Sequence, residues 1–286
     1  TASGAWSDGR GRKKMNFTVI IIATVVLALI GLIIGLLLGL AGKVFAVESG
    51  ETIEKVRECL PGNNCGGCGY AGCGALAEAI AKGGAKPSAC PVGGAAVAQK
   101  ISEVMGLPAD TFVRKVAFVK CSGSCDKTRF DYNYQGAESC YQVSLAPGRG
   151  PKSCAYGCLG LGSCAKACPF DAIHVVNGRA VVSREDCKAC GKCVETCPHN
   201  LIELIPYDAP YMVRCFSQEK GRKVREMCDA GCIGCGICEK NCPTGAITLK
   251  NNIAHIDQSL CTGCGRCAEK CPAHVIIRQA GEADAS

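Results

Sequence analysis

Cysteine spacing constrains the possible fold of this chain more than any other feature. One pattern of cysteines occurs twice between Cys154 and Cys271. Seven cysteines of the first copy recur 74 residues later in the second copy. The pairs are Cys158 and Cys232, Cys164 and Cys238, Cys168 and Cys242, Cys187 and Cys261, Cys190 and Cys264, Cys193 and Cys267, and Cys197 and Cys271. Agreement at so many positions indicates a tandem duplication, in which both copies carry the same chemistry.

Three of the four cysteine runs in this repeat read C-x2-C-x2-C-x3-C-P, and the fourth differs at one position. This spacing is typical of runs that bind two 4Fe-4S clusters, in which three cysteines of a run hold one cluster and the fourth holds the other. The proline after the fourth cysteine fixes φ and turns the chain away from the run. Structural zinc sites use separated C-x2-C knuckles, so these runs favour iron–sulfur clusters over zinc.

The crossing of each fourth cysteine to the neighbouring cluster predicts three regular ligand sets. Two of them belong to the second copy and one to the first. The sets are Cys232, Cys235, Cys238 and Cys271; Cys242, Cys261, Cys264 and Cys267; and Cys168, Cys187, Cys190 and Cys193.

The remaining set of the first copy is irregular, because Leu161 stands where the repeat requires the counterpart of Cys235. Cys154 lies four residues before Cys158 and is the nearest replacement in the sequence. We therefore predict a cluster on Cys154, Cys158, Cys164 and Cys197. The alternative is a three-iron cluster on three cysteines.

A second kind of site precedes the repeat, with Cys65, Cys68, Cys73 and Cys90 spaced C-x2-C-x4-C-x16-C among many glycines. Glycine lets backbone amides approach the cluster sulfurs closely, which raises the reduction potential. The segment predicts one further 4Fe-4S cluster. Helices are expected over residues 75–82 and 95–105, the second ended by Gly106.

The region between these sites contains three loosely spaced cysteines, Cys121, Cys125 and Cys140. They could hold an extra cluster, with or without Cys154, or they could be free or packed thiols. Because the irregular set also needs Cys154, the two uses of that residue compete. The cofactors predicted are five 4Fe-4S clusters, or six if the extra site exists.

The N-terminal part of the chain predicts a membrane anchor. No charged residue occurs from Phe17 to Ala41, and about 20 apolar residues suffice to span a bilayer as a helix. A cleaved signal peptide is the rival interpretation, since Val44 and Ala46 resemble a cleavage site. If Met15 is the true start, the nearest basic residues follow the span, which places the cluster domains in the cytoplasm. We expect a single-pass protein of the inner cell membrane.

The predicted fold class is α+β, with small modules built around clusters. Only 5% of residues are aromatic while 26 are cysteine, so clusters must replace much of the usual core. Strands are expected over residues 172–176, 201–205, 246–249 and 275–277, with Asn177-Gly178 as a hairpin turn and brief helices between the third and fourth cysteines. The predicted order is a tag or upstream extension (1–14), a transmembrane anchor (15–42), a four-cysteine 4Fe-4S domain (43–107), a connecting region (108–152), a first bacterial-type two-cluster ferredoxin domain (153–206), a linker (207–231) and a second such domain (232–280).

Charge argues against nucleic-acid binding despite a formal net charge of +7. An oxidised cluster with four thiolates carries about −2, so five clusters bring the loaded protein to roughly −3. We expect no nucleic acid among the partners.

The motifs in combination resemble one family. A single N-terminal span, the stretch LPGNNCGGCGYAGC and the stretch CAYGCLGLGSCAKACPFDAI are similar to the B subunit of the Rnf complex, in the long form of anaerobic bacteria. The resemblance implies an electron-transfer subunit of a complex that passes electrons from reduced ferredoxin to NAD+ and couples this to sodium or proton movement.

The same resemblance implies the partners. These are soluble ferredoxin as donor, other membrane and flavin-bearing subunits, and the lipid bilayer. The chain itself is expected to bind no flavin or NAD and to contain no catalytic residue. The alternative is a polyferredoxin subunit of a membrane hydrogenase or carbon monoxide dehydrogenase system.

Overall fold

The computed structural model describes residues 17–44, 50–108 and 111–279, and the chain divides into two compact units between Glu51 and Thr52. The N-terminal unit contains α1 (Phe17–Val44, 28 residues). Among the described residues, no helix qualifies as both long and apolar enough to cross a membrane. The predicted anchor is therefore not confirmed and stays a prediction. The predicted extension, residues 1–14, lies outside the described residues.

The four-cysteine segment folds as three helices around a small apolar core. Val56, Leu76, Ile80 and Ile101 are fully or almost fully buried in this core. The helices are α2 (Gly50–Cys59), α3 (Cys73–Ala81) and α4 (Gly94–Met105), with a 3₁₀ turn at Pro87–Ala89. Both predicted helices are confirmed, and Gly106 ends α4 in the left-handed conformation with φ 64°.

Two units predicted to be ferredoxin domains follow, and they are called the first and second ferredoxin units. Each contains two short helices that carry cysteines of the predicted ligand sets. The first unit contains β1 (Lys115–Val119), α5 (Cys140–Ser144), a 3₁₀ turn at Pro147–Arg149, α6 (Ser163–Lys166), β2 (Ile173–Val176), β3 (Arg179–Val182), α7 (Lys192–Thr196) and β4 (Ile202–Pro206). The second contains β5 (Tyr211–Val213), α8 (Gly221–Met227), α9 (Ile237–Lys240), β6 (Ile247–Lys250), β7 (Ile253–Ile256), α10 (Arg266–Glu269) and β8 (Ile276–Arg278).

The strands of the described residues form four two-stranded antiparallel sheets, β1 with β4, β2 with β3, β5 with β8 and β6 with β7. The β2–β3 hairpin turns at Asn177 and Gly178, both with positive φ, as a type I′ turn requires. The four predicted strands and the predicted hairpin are confirmed. The sequence prediction missed β1, β5 and β7. Strands β1 and β5 lie in the segments predicted as the connecting region and the linker.

Glycine starts each of the four ligand-bearing helices. A residue with positive φ turns the chain from the cysteine loop into the helix, and glycine adopts that conformation without a steric penalty. The four are Gly162 (φ 73°), Gly191 (φ 81°), Gly236 (φ 71°) and Gly265 (φ 80°). The brief helices predicted between the third and fourth cysteines are thus confirmed.

Cysteines form part of the core in both ferredoxin units. In the first unit Cys158, Cys164 and Cys193 pack with apolar residues such as Val116 and Leu201. The second unit has an equivalent cluster that includes buried cysteines such as Cys232 and Cys267. Each core is therefore built around thiols, as expected for modules with few aromatic residues.

Candidate iron–sulfur sites

The regular ligand set of the first ferredoxin unit lies together. Burial raises the pKa of the Cys193 thiol to about 12, and repulsion from Cys187, Cys190 and Cys168 adds to the effect. Backbone N–H groups donate to two of these sulfurs, from Ala117 to Cys187 and from Ala172 to Cys168, both at 3.4 Å. Such donors stabilise thiolates, which are the form that binds iron.

The irregular set of the same unit brings Cys140 next to Cys158, Cys164 and Cys197. These four cysteines line one cavity. Burial raises the pKa of Cys164 to about 12, and charges on Cys158, Cys140 and Cys197 add to this rise. Cys140 begins α5, and its backbone N–H donates to the hydroxyl of Ser163, next to Cys164, at 3.0 Å.

Cys154, which the sequence prediction placed in this set, lies elsewhere. Burial raises the pKa of its thiol, and its thiol neighbour is Cys228. It lines a different cavity from the one that holds Cys140.

The second ferredoxin unit arranges its two predicted sets in the same manner. Burial raises the pKa of Cys238 to about 11, with further repulsion from Cys232, Cys271 and Cys235. In the other set, burial raises the pKa of Cys267, followed by repulsion from Cys261 and Cys264. The fourth member of that set, Cys242, packs partly buried against the same core as Cys267.

The four-cysteine domain gathers its ligands around the start of α3. Burial raises the pKa of Cys90, while Cys73 and Cys68 add repulsion. The Asn64 side chain accepts a 2.8 Å hydrogen bond from the backbone N–H of Cys73, which ties the loop before Cys65 to α3. Gly93 N–H donates to the sulfur of Cys90 at 3.3 Å.

The loop of this domain contacts the first ferredoxin unit at Cys190. A Cβ added to Gly67 would lie 2.7 Å from the backbone oxygen of Cys190 and 2.8 Å from its Cα. Cys65 also repels the Cys190 thiolate and so raises the pKa of Cys190, although burial is the larger cause. Cysteines assigned to two separate sites therefore lie close to each other at this contact.

Two observations bear on what these groups could hold. His199 lines the cavity of the irregular set, and its buried Nε2 has no hydrogen-bond partner among the residues that the structure describes. Within the same residues, no group of three or more His, Cys, Asp or Glu side chains is placed to hold a single metal ion. A 4Fe-4S cube lies between its ligands and keeps them farther apart than one ion does, and thiolates are its usual ligands. The four cysteines that line this cavity supply the number and kind of ligands that such a cube needs.

Comparison with known proteins supports iron–sulfur chemistry across the chain. Residues 60–92 match a family model of an Fe-S cluster domain, and residues 161–208 match the LdpA Fe-S cluster-binding domain. The 4Fe-4S dicluster domain matches twice, at residues 186–246 and 231–275.

Curated relatives extend over most of the chain. The B subunit of the ion-translocating oxidoreductase complex of Methanosarcina acetivorans is 43% identical over 84% of this chain and 91% of its own length. The B subunit of the Na+-translocating ferredoxin:NAD+ oxidoreductase complex of Acetobacterium woodii is 44% identical over 83% of this chain and 72% of its own length. The proton-translocating counterpart from Clostridium ljungdahlii is 42% identical, over 86% of both chains.

The chain belongs to the B-subunit family of Rnf complexes. The resemblance drawn from the cysteine motifs is thereby confirmed. Rnf B-subunit relatives named for Na+ and for protons are similarly close to this chain, so identity alone does not choose the coupling ion.

Sequence reasoning missed Cys140 as a neighbour of the irregular set in this Rnf B-subunit chain. No spacing rule could have found it, because Cys140 lies outside the 74-residue repeat and is brought in by the start of α5. A signal for Cys154 did exist, since the same offset relates Cys154 to Cys228. Cys125 is exposed and packs beside the turn at Gly178.

Proposed function

We propose that this chain is the membrane-anchored electron-transfer subunit of an ion-translocating ferredoxin:NAD+ oxidoreductase. The observation that carries the proposal is the contact of Gly67 with Cys190, which joins two cysteine sites belonging to different domains. Electrons can pass efficiently only between centres that lie close together. A series of neighbouring sites along the chain is therefore what an electron carrier requires.

Five ligand sets follow from the geometry together with the crossing rule. Four are those predicted from the sequence. In the fifth we assign Cys140 in place of Cys154, because Cys140 shares a cavity with the other three ligands. The five sets are Cys65, Cys68, Cys73 and Cys90; Cys140, Cys158, Cys164 and Cys197; Cys168, Cys187, Cys190 and Cys193; Cys232, Cys235, Cys238 and Cys271; and Cys242, Cys261, Cys264 and Cys267.

A 4Fe-4S cluster accepts and donates one electron at a time, and the protein sets its potential through burial and hydrogen bonds. The residues of this chain supply both. Backbone N–H groups of Ala180 and Leu201 donate at 3.4 Å to the sulfurs of Cys158 and Cys197. These bonds stabilise the negative charge on the thiolates. No side chain needs to act as acid, base or nucleophile.

We infer the direction of electron transfer from the order of the sites along the chain. Reduced soluble ferredoxin gives one electron to the second ferredoxin unit and is itself oxidised. The electron moves through the first ferredoxin unit to the four-cysteine domain, and from there to flavin-bearing and membrane subunits. Two such electrons and one proton convert NAD+ to NADH at a flavin-bearing partner.

The membrane attachment belongs to residues 15–42. Their uncharged sequence supports a single span of the inner membrane, with lipid around it and the cluster domains on the cytoplasmic side. Deleting residues 15–42 should release the chain from alkali-washed membranes. Retention of the deleted chain in the washed membranes would contradict an anchor in this segment.

The electron route is tested in the intact complex with a Cys73→Ser variant, which breaks the four-cysteine set. We expect ferredoxin-dependent NAD+ reduction to be lost, while EPR still shows reduction of the ferredoxin-unit clusters by reduced ferredoxin. A Cys125→Ser variant is the matched control, because Cys125 is exposed and belongs to none of the five sets. Undiminished NAD+ reduction in Cys73→Ser would contradict the route.

A further inference from the structure

Four cysteines outside the five sets line one cavity between the ferredoxin units. Like the cavity at the irregular set, this cavity is lined by four cysteines. The four residues are Cys121, Cys154, Cys215 and Cys228. Three of them, Cys121, Cys215 and Cys228, are buried.

Each ferredoxin unit supplies two of the four residues, Cys121 and Cys154 from the first unit and Cys215 and Cys228 from the second. Cys154 and Cys228 are 74 residues apart, the offset that relates all the other repeated cysteines. Cys121 lies two residues after β1, and Cys215 lies two residues after β5. Because β1 pairs with β4 and β5 pairs with β8, the two strands hold corresponding places in the two units. Corresponding places in the two units thus contribute two cysteines each to one cavity.

A short segment of backbone fixes Cys154 and Cys228 beside each other. Arg129 N–H donates to the Met227 carbonyl at 3.0 Å, and the Arg129 carbonyl accepts from Ser153 N–H at 2.9 Å. Asp229 N–H donates to the Lys127 carbonyl at 2.8 Å. The segment around Arg129 therefore bridges the chain just before Cys154 to the chain at Cys228.

All four sulfurs have hydrogen-bond partners of the kind found at the five sets. The Cys121 sulfur accepts from the N–H groups of Gly123 and Cys158, both at 3.4 Å. The Thr128 hydroxyl lies 3.7 Å from the sulfur of Cys228. Burial raises the pKa of Cys215 to about 12, opposed by hydrogen bonds from the backbones of Cys232 and Ser217. Burial likewise raises the pKa of Cys154, opposed by the backbone of Tyr156 and other donors.

The cavity lies between ligands of two different ferredoxin units. The N–H of Cys158, a ligand of the first unit, donates to Cys121, and the backbone of Cys232, a ligand of the second, donates to Cys215. Reciprocal contacts hold the units together here. Lys120 of the first unit lies 4.3 Å from the ring centre of Phe216, and Arg214 of the second lies 5.9 Å from that of Phe118.

We propose that Cys121, Cys154, Cys215 and Cys228 bind a sixth 4Fe-4S cluster that bridges the two ferredoxin units. This inference rests on the proposed electron-transfer function and deepens it. One electron enters from the second unit and the same electron leaves to the first, so the site undergoes no net change. Six sets of four use 24 of the 26 cysteines and leave only Cys59 and Cys125 without a cluster.

The test is the iron, acid-labile sulfide and zinc content of the anaerobically prepared full-length chain, with EPR of the reduced sample. Two variants are compared with the unaltered protein, Cys154→Ser from the first copy and Cys215→Ser/Cys228→Ser from the second. The double variant Cys59→Ser/Cys125→Ser is the matched control.

Both site variants should lose up to about four iron atoms and the same EPR component, while the signals of the other clusters persist and report a folded protein. The control should match the unaltered chain. Unchanged iron in both site variants, or one zinc ion displaced by them, would overturn the sixth cluster. Failure of the wider function would look different, because the unaltered chain would then contain little or no iron.

Discussion

The two ferredoxin units share a fold and a repeat, yet the ligand sets that we propose for them are completed differently. In the second unit Cys235 lies within its own cysteine run and is exposed. In the first unit Leu161 occupies that position, and a buried cysteine at the start of α5, Cys140, lies beside the other three ligands. A cluster needs a thiol at each corner but does not require that all four come from the same motif. The first unit could therefore lose a ligand from its run and recruit one from the preceding segment.

The largest effect is expected from moving the fourth ligand of the irregular set from Cys140 to position 161. Cys140→Ser should convert the irregular cluster to a three-iron form or abolish it, because serine is a poor ligand for iron. Adding Leu161→Cys in the same chain should restore the cluster, since that change recreates the run found in the second unit. Iron content and EPR of the oxidised sample measure both outcomes. A full cluster complement in Cys140→Ser alone would show that Cys140 is not a ligand.

A second difference between the two ferredoxin units is that Cys190 of the first unit contacts the four-cysteine domain. Gly67→Ala places a Cβ against the Cys190 backbone, and such overpacking costs about 1–3 kcal/mol. We expect slower electron transfer into the four-cysteine cluster with unchanged iron content. Freeze-quench EPR measures the rate of this transfer. Gly74→Ala is the control, because an added Cβ there meets no atom within 4 Å. Equal rates in the two variants would remove this contact from the route.

A buried charge also distinguishes the units. Lys152 is only 3% exposed and donates to the carbonyls of Gly123 and Gly178 at 3.1 and 2.7 Å, whereas its counterpart in the repeat is the exposed Glu226. The Lys152 ammonium lowers the pKa of both Cys121 and Cys158, though burial is the larger influence on each and raises it.

Lys152→Met should therefore lower the reduction potential of the clusters beside it by on the order of tens of millivolts. Potentiometric titration followed by EPR measures the shift. The exposed Lys127→Met variant should leave the potentials almost unchanged, because solvent screens its charge. A Lys152→Met protein with the potentials of the unaltered chain would exclude this electrostatic role.

The smallest effect is expected at the surface ion pair that joins the units, Arg129 with Asp229 at 3.0 Å. Both side chains are more than half exposed, and such pairs contribute less than about 1 kcal/mol. Arg129→Ala should shift the thermal midpoint only slightly, since the backbone hydrogen bonds of the segment remain. A loss of stability of several kcal/mol would mean that the pair, rather than the backbone, holds Cys154 beside Cys228.

Sequence alone predicted most of what lies inside the repeat, and missed what is brought to it from outside. The short strands, the hairpin at Asn177 and the ligand-bearing helices follow from local rules of turn and spacing. Strand β1 and residue Cys140 do not, because their partners, β4 and the first cysteine run, are distant in sequence. Cys121 and Cys215 could be predicted from the sequence only in part. The residues Val119–Cys121 are weakly echoed by Val213–Cys215, and the structure explains this echo because β1 pairs with β4 as β5 pairs with β8.

The most direct measurement of the central claim is the iron and acid-labile sulfide content of the full-length chain prepared without oxygen, together with EPR of the oxidised and reduced forms. Six complete sets predict about 24 iron atoms and as many sulfides per chain, with no three-iron signal in the oxidised sample. A content of about 20, or a three-iron signal, would contradict the assignment of Cys121, Cys154, Cys215 and Cys228 or that of Cys140.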